Sequence, residues 1–150
     1  VCCAHFHVQY LGMSSKDSTG WDNGRYAWNV SPANFDVYPY QSAVISMGDY
    51  NFGPNGCGGC DGITYLNPCN SCTYSSASLY ENSYYTSMST YTYAIVQSVT
   101  AHEIGHMVGL AHSNGCVLMN PYTFGSGSRW GGCGINTPRS DDINGVNAQY

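Results

Sequence analysis

The chain has 150 residues, a net charge of −5 and only four Lys plus Arg. That length builds one domain with a real core, and so few basic side chains argue against nucleic acid and anionic membranes as partners. Charged residues make up 9% of the chain, against about 25% in ordinary globular proteins, and tyrosine, glycine, serine and asparagine replace them.

No apolar run is long enough to span a bilayer. The sequence opens on Val1 without a hydrophobic leader, so a processed, secreted, monomeric form is expected. The eight cysteines point the same way, to an oxidising extracellular compartment. Cys57-Gly-Gly-Cys60 and Cys69-Asn-Ser-Cys72 are two Cys-x-x-Cys pairs, which suit disulfides or a structural zinc. Cys116 and Cys133 bracket one loop and are expected to bridge. Cys2 and Cys3 are adjacent and are expected to take different partners.

In chain order, His5 to Tyr10 alternates polar and apolar residues and reads as a strand, with His5, His7 and Gln9 on one face. Gly12 to Gly24 reads as a loop, and any helix between Asp22 and Trp28 is expected to be short and poorly formed. Phe35 to Tyr38 reads as a second strand, and Ala43 to Met47 as a third, fully buried one. Gly48 to Gly62 has six glycines and reads as an irregular loop shaped by cross-links or ions. Ile63 to Leu66 is a short strand, Cys69 to Ser78 a loop, and Leu79 to Tyr85 a strand or extended segment. Ala94 to Val108 is a helix with a stripe of Ile95, Val99, His102 and His106, stopped at Gly109. A last helix starts near Thr137 or Ser140, with Asp141 and Asp142 where the helix dipole favours anions.

The chemistry concentrates in Ala101 to His112. His102 and His106 are four apart and project from one helix face, the spacing at which two imidazoles reach one ion. Glu103 stands a fraction of a turn away, close enough to touch a water on that ion without ligating it. Gly109 allows a left-handed turn, after which His112 supplies a third nitrogen. Three protein ligands leave a tetrahedral zinc one open position, the condition for catalysis.

This stretch resembles the metzincin clan of zinc endopeptidases. Ser113 after the third histidine, the Met119-Asn120-Pro121 turn and Ser140-Asp141-Asp142-Ile143-Asn144-Gly145-Val146 resemble the matrixin family, that of the matrix metalloproteinases and their bacterial relatives. Trp28 with Ser31-Pro32 and Phe35, and Gly48-Asp49 with Phe52-Gly53, resemble further matrixin joins. The implied fold is α+β: a twisted mixed sheet of about five strands, the active-site helix, a short poorly formed first helix, and a small irregular C-terminal subdomain with a C-terminal helix. Residues 1–111 form the expected N-terminal subdomain and 112–150 the C-terminal one.

The implied reaction is hydrolysis of peptide bonds in extended protein substrates by zinc-activated water, with Glu103 as general base. The zinc ligands are then His102, His106 and His112, with Met119 as an apolar floor beneath them or a plain core methionine. Ile63, Thr64 and Tyr65 would pair with substrate by strand addition, and Pro121, Tyr122 and Thr123 would wall its pocket. Asp141 would pair with the ammonium of Val1, or simply cap its helix.

Matrixins also carry a structural zinc on three histidines and an aspartate. Met47, Thr64 and the Tyr80-Glu81 region offer no histidine for it, and the cysteines from Cys57 to Cys72 are the expected replacement. For calcium, Asp49 and Asp61 form the suggestive oxygen cluster. The alternatives are a zinc amidase acting on cell-wall peptides and a non-catalytic zinc-containing adhesion module.

Overall fold

The computed structural model describes residues 4–68 and 74–150. Its elements run β1 (Ala4–Tyr10), α1 (Ser15–Asn29), β2 (Phe35–Pro39), β3 (Ile45–Tyr50), β4 (Gly62–Asn67), β5 (Ser76–Asn82), α2 (Ser83–Thr86), α3 (Tyr93–Met107) and α4 (Ser140–Asn147). The five strands make one mixed sheet in the order β2-β1-β3-β5-β4. All neighbours are parallel except β4, which runs antiparallel to β5 and forms an edge. The fold is thus α+β with a five-stranded mixed sheet, as the resemblance implied.

One face of the sheet carries the core. Val8, Val37, Met47 and Leu79 point from the strands into Trp21 and Trp28 of α1 and Ala101, Ile104 and Met107 of α3. The other face is aromatic and wet, with Tyr38, Tyr50 and Tyr65 exposed. Ile45 and Met47 are buried but Ser46 between them is only half-buried, so β3 alternates instead of being buried throughout. Among the described residues no helix is long and apolar enough to cross a membrane.

The largest departure from expectation is α1. Its fifteen residues occupy the stretch read as a loop and a poorly formed helix. Ser14 caps it, its Oγ accepting from the Asp17 amide at 3.1 Å. The two glycines that argued against a helix are what let α1 approach α3. A Cβ on Gly24 would stand 2.8 Å from the backbone nitrogen of Ala101, and one on Gly20 would collide with Val96. Trp28 seals the contact by donating its Nε1–H to Ala101 O at 2.8 Å. Tertiary packing therefore outweighs the roughly 1 kcal/mol that each interior glycine costs a helix.

Two smaller corrections concern boundaries. The Leu79–Tyr85 segment divides, ending β5 at Asn82 and continuing as α2, whose first turn is capped by the Asn82 side chain. Ser76 to Ser78, read as loop, already belong to β5 because they pair with β3 and β4. Helix α4 begins at Ser140, the second of its two expected starts.

Disulfides join Cys57 to Cys60 and Cys116 to Cys133. The first closes the loop after β3 on itself, and the second is the expected bridge across the loop after α3. Cys2, Cys3, Cys69 and Cys72 lie outside the described residues, as does Val1.

Candidate active site

Helix α3 carries the site because it is buried along most of its length, with His102 and Glu103 each 3% exposed. It ends by geometry that the sequence encodes. Gly109 has φ +92°, the Gly109 amide donates to His106 O and the Leu110 amide donates to Gly105 O. This paired closure reverses the chain and requires the left-handed residue that glycine supplies. The reversal brings His112 over the helix and places Leu110 O 2.8 Å from His106 Nδ1.

The three imidazoles meet through their Nε2 atoms, separated by 3.1, 3.2 and 3.3 Å. Four-coordinate zinc with nitrogens at about 2.0 Å needs ligands about 3.3 Å apart, so the arrangement fits one ion. His102 Nδ1 lies 2.8 Å from Leu118 O, and with Leu110 O on His106 this places the ring protons on Nδ1. Both Nε2 lone pairs are thereby free to face the ion. Among the described residues this is the only group of three or more His, Cys, Asp or Glu side chains arranged to hold a metal. Burial lowers the proton affinity of all three histidines, and the Arg129 charge adds to this.

Glu103 turns toward β4. Its Oε2 accepts from Thr64 Oγ1 at 2.7 Å. Burial lifts its carboxyl to about 8, against the Thr64 hydrogen bond and the Arg129 charge, which both favour the carboxylate. Gly62 makes room for it, since a Cβ there would stand 2.7 Å from Glu103 Oε1.

Met119 lies against the same helix, α3, and is 1% exposed. Its sulfur packs on Gly105, where a Cβ would collide with it. Asp142 of α4 holds this turn from below, its Oδ1 accepting from the Met119 amide and its Oδ2 from the Leu118 amide, each at 3.0 Å. Expectation had given Asp142 only a helix-dipole role. Leu118 O is also the carbonyl that His102 Nδ1 meets, so α4 steadies one histidine of the triad through one intervening residue.

These parts open on a cleft of about 740 Å³. Ile63 and Thr64 line it from β4, and Pro121, Tyr122 and Thr123 from the loop after Met119. Tyr65 points to the other face of the sheet, 6.4 Å from the Tyr80 ring, and Leu66 lines the cleft in its place. Strand alternation explains the shift, since Thr64 and Leu66 share a side.

Arg129 was not foreseen. It is 1% exposed, its Nε donating to Ser98 Oγ of α3 at 3.2 Å and its Nη1 to Asn120 O at 3.1 Å. Its Nη2 stands 3.5 Å from Asp61 Oδ1. One buried cation thus ties the active-site helix, the loop after Met119 and the entry to β4. Its rarity was a signal, because it is one of four basic residues in the chain. Asp61 is committed to Arg129 and Tyr91, whereas Asp49 accepts from the Ser14 amide, so the expected Asp49–Asp61 oxygen cluster does not form. Asp141 Oδ2 accepts from Ser113 Oγ at 3.0 Å. His5 and His7 sit exposed on β1, with His5 3.5 Å from Asp36.

Comparison with known proteins bears on this arrangement. The matrixin family model matches residues 27–150, from the last three residues of α1 through the three converging histidines and the Met119 turn to α4. The chain belongs to the matrixin family. Matrixins are zinc metalloendopeptidases, and the converging histidines are the matching residues that can hold the metal. No curated protein matches the chain. Among solved structures it is similar to that of myroilysin, with 19% identity and a TM-score of 0.48. That match covers 73% of this chain and 49% of the other, so this matrixin chain spans about half the length of myroilysin's.

Proposed function

We propose that this matrixin is a secreted endopeptidase that cleaves extended protein or peptide substrates, with Glu103 as general base. The observation that carries the reading is the convergence of three Nε2 atoms beside a buried carboxylate at the wall of an open cleft. His102, His106 and His112 would hold the zinc, which would supply Lewis acidity there.

Glu103 takes a proton from the attacking water and returns it to the leaving amine. Thr64 holds the carboxylate on the cleft side and, as a neutral donor, favours its charged form. The Nδ1–carbonyl hydrogen bonds of His102 and His106 keep those rings from rotating when substrate enters. Edge strand β4 pairs with β5 on one side only, so its second edge offers backbone donors and acceptors to an extended substrate. Pro121, Tyr122 and Thr123 face it across the cleft and shape the pocket for the residue after the cut.

Replacement of Glu103 by Gln tests the reading. Zinc content by metal analysis stays at one per chain while cleavage of casein or gelatin falls by about 10²-fold or more. Cleavage by this variant at a near wild-type rate would remove Glu103 as the base. A wild-type chain that holds zinc but shows no chelator-sensitive cleavage of either protein favours the adhesion-module alternative. Cleavage confined to cell-wall peptides favours the amidase.

A further inference from the structure

Two residues that line the cleft carry buried polar atoms with no hydrogen-bond partner among the described residues, Arg129 Nη2 and Thr123 Oγ1. The residues are 1% and 6% exposed. The other nitrogens of the guanidinium are in use, Nε on Ser98 Oγ and Nη1 on Asn120 O. The planar group is thereby fixed, and Nη2 is the donor left over. Buried polar groups are costly without a partner, so a pair of them beside a cleft points to what enters the cleft.

The place of Arg129 on the active-site helix sets how far an entering side chain must reach. Ser98 precedes His102 by four residues and lies on the same side of α3. Four residues at about 1.5 Å each put the guanidinium roughly 6 Å along the helix from that histidine. Asp61 Oδ1 stands 3.5 Å from Nη2, and the Tyr91 hydroxyl donates to Asp61 Oδ2 at 3.1 Å. The rings of Tyr91 and Phe124 meet edge to face, with centroids 5.3 Å apart. All of these residues line the cleft with Thr123. This part of it therefore has aromatic sides and a polar end.

The polar end discriminates among side chains. An aliphatic side chain leaves Arg129 Nη2 and Thr123 Oγ1 unpaired. A carboxylate can accept from both, but it comes to rest beside Asp61, which already balances the guanidinium charge, and near Glu103, which also acts on Arg129. A carboxamide adds no charge. Its oxygen accepts from Nη2–H, and its nitrogen donates to Thr123 Oγ1. Glutamine spans the roughly 6 Å once a hydrogen bond of about 2.9 Å is added to its side chain, whereas asparagine is one methylene shorter.

We propose that Arg129 and Thr123 form the end of the pocket for the residue after the cut and select glutamine there. The inference rests on the proteolytic reading, which gives that pocket to the loop after Met119.

The test uses the zinc-loaded chain and peptides that differ only in the residue after the scissile bond: Gln, Leu or Glu. We expect kcat/KM for the Gln peptide to exceed both others by about tenfold or more, because a site built to hydrogen-bond a group rejects analogues that lack it. Thr123→Val keeps the shape and removes the hydroxyl, and its Gln-to-Leu ratio should fall several-fold. Arg129→Lys withdraws Nη2 and should lower the ratio too. Because Arg129 ties three segments together, Thr123→Val decides the matter if the lysine variant misfolds. Titration calorimetry of the same peptides with Glu103→Gln should give the same order of affinities without cleavage. A Leu or Glu peptide cut as fast as the Gln peptide overturns the inference and leaves the proteolytic reading standing. An unchanged ratio in Thr123→Val also overturns it. If the wild type cuts no peptide at all, the proteolytic reading fails, and the calorimetric order still decides whether this end of the cleft prefers glutamine.

Discussion

Helices α1 and α3 are each fifteen residues long and lie against one another, but they are held in opposite ways. In α3 eleven residues are buried, among them Ile95, Val96, Val99, Ile104 and Met107, so its stability is spread over many apolar contacts. In α1 six are buried, and two of these are glycines and one an aspartate. It is fastened at a few points: the Ser14 cap, Asp17, the Gly20 and Gly24 contacts, Trp21 and Trp28. A helix held broadly can carry polar machinery such as His102 and Glu103 on its surface. A helix held at points is vulnerable to single changes, and through Trp28 and Gly24 its failure reaches the other.

The sharpest way to break this relation is Gly24→Val. The new side chain meets the Thr100–Ala101 backbone of α3, which cannot step aside, so we expect a loss of about 3 kcal/mol and a fall in activity. Gly12→Ala is the control, because nothing lies within 4 Å of its Cβ position. Equal denaturation midpoints for the two variants would refute the close-packing argument. Trp28→Phe comes next. It removes the donor to Ala101 O and some buried area, for about 1–2 kcal/mol by urea unfolding.

The third prediction concerns pH. Burial and the facing Asp17 hold the Glu81 carboxyl well above the ordinary range. The folded chain therefore keeps a proton that the unfolded chain releases. This contribution is complete below the unfolded value near 4.3 and is lost as pH rises through the folded one, with a slope of up to about 1.4 kcal/mol per pH unit. Urea midpoints measured across that range should fall for the wild type and stay flatter for Glu81→Gln. Parallel curves would show that Glu81 does not titrate in this way. The smallest effect is Ser14→Ala, which removes the α1 cap and costs about 1 kcal/mol. Amide exchange in the first turn of α1 should report it, while α3 stays protected.

Much of the site was legible because its parts are close in sequence. His102, Glu103, His106, Gly109 and His112 fall within eleven residues, and helix periodicity with one left-handed glycine converts that spacing into geometry. Met119 was readable as part of a turn motif. Asp142, Thr64, Gly62 and Arg129 were not legible in their roles. Each acts on a partner more than twenty residues away: Asp142 on Met119, Thr64 and Gly62 on Glu103, Arg129 on Ser98 and Asp61. No local period signals such pairs. The strands were visible through alternation, although Tyr65 was given a place in the cleft that Leu66 takes.

Residue order alone determined the convergence of the three histidines, the carboxylate beside them, the stop at Gly109 and the Cys116–Cys133 bridge. These follow from backbone geometry and short loops, which act over a few residues. The existence of α1, the Arg129 tie, the Asp142 support and the burial of Glu81 beside Asp17 were decided only by the tertiary structure. Each depends on what a distant segment brings to it: a flat helix face for two glycines, three acceptors for one guanidinium, two amides for one carboxylate. Propensity along the chain does not contain those partners, and for α1 it pointed the other way.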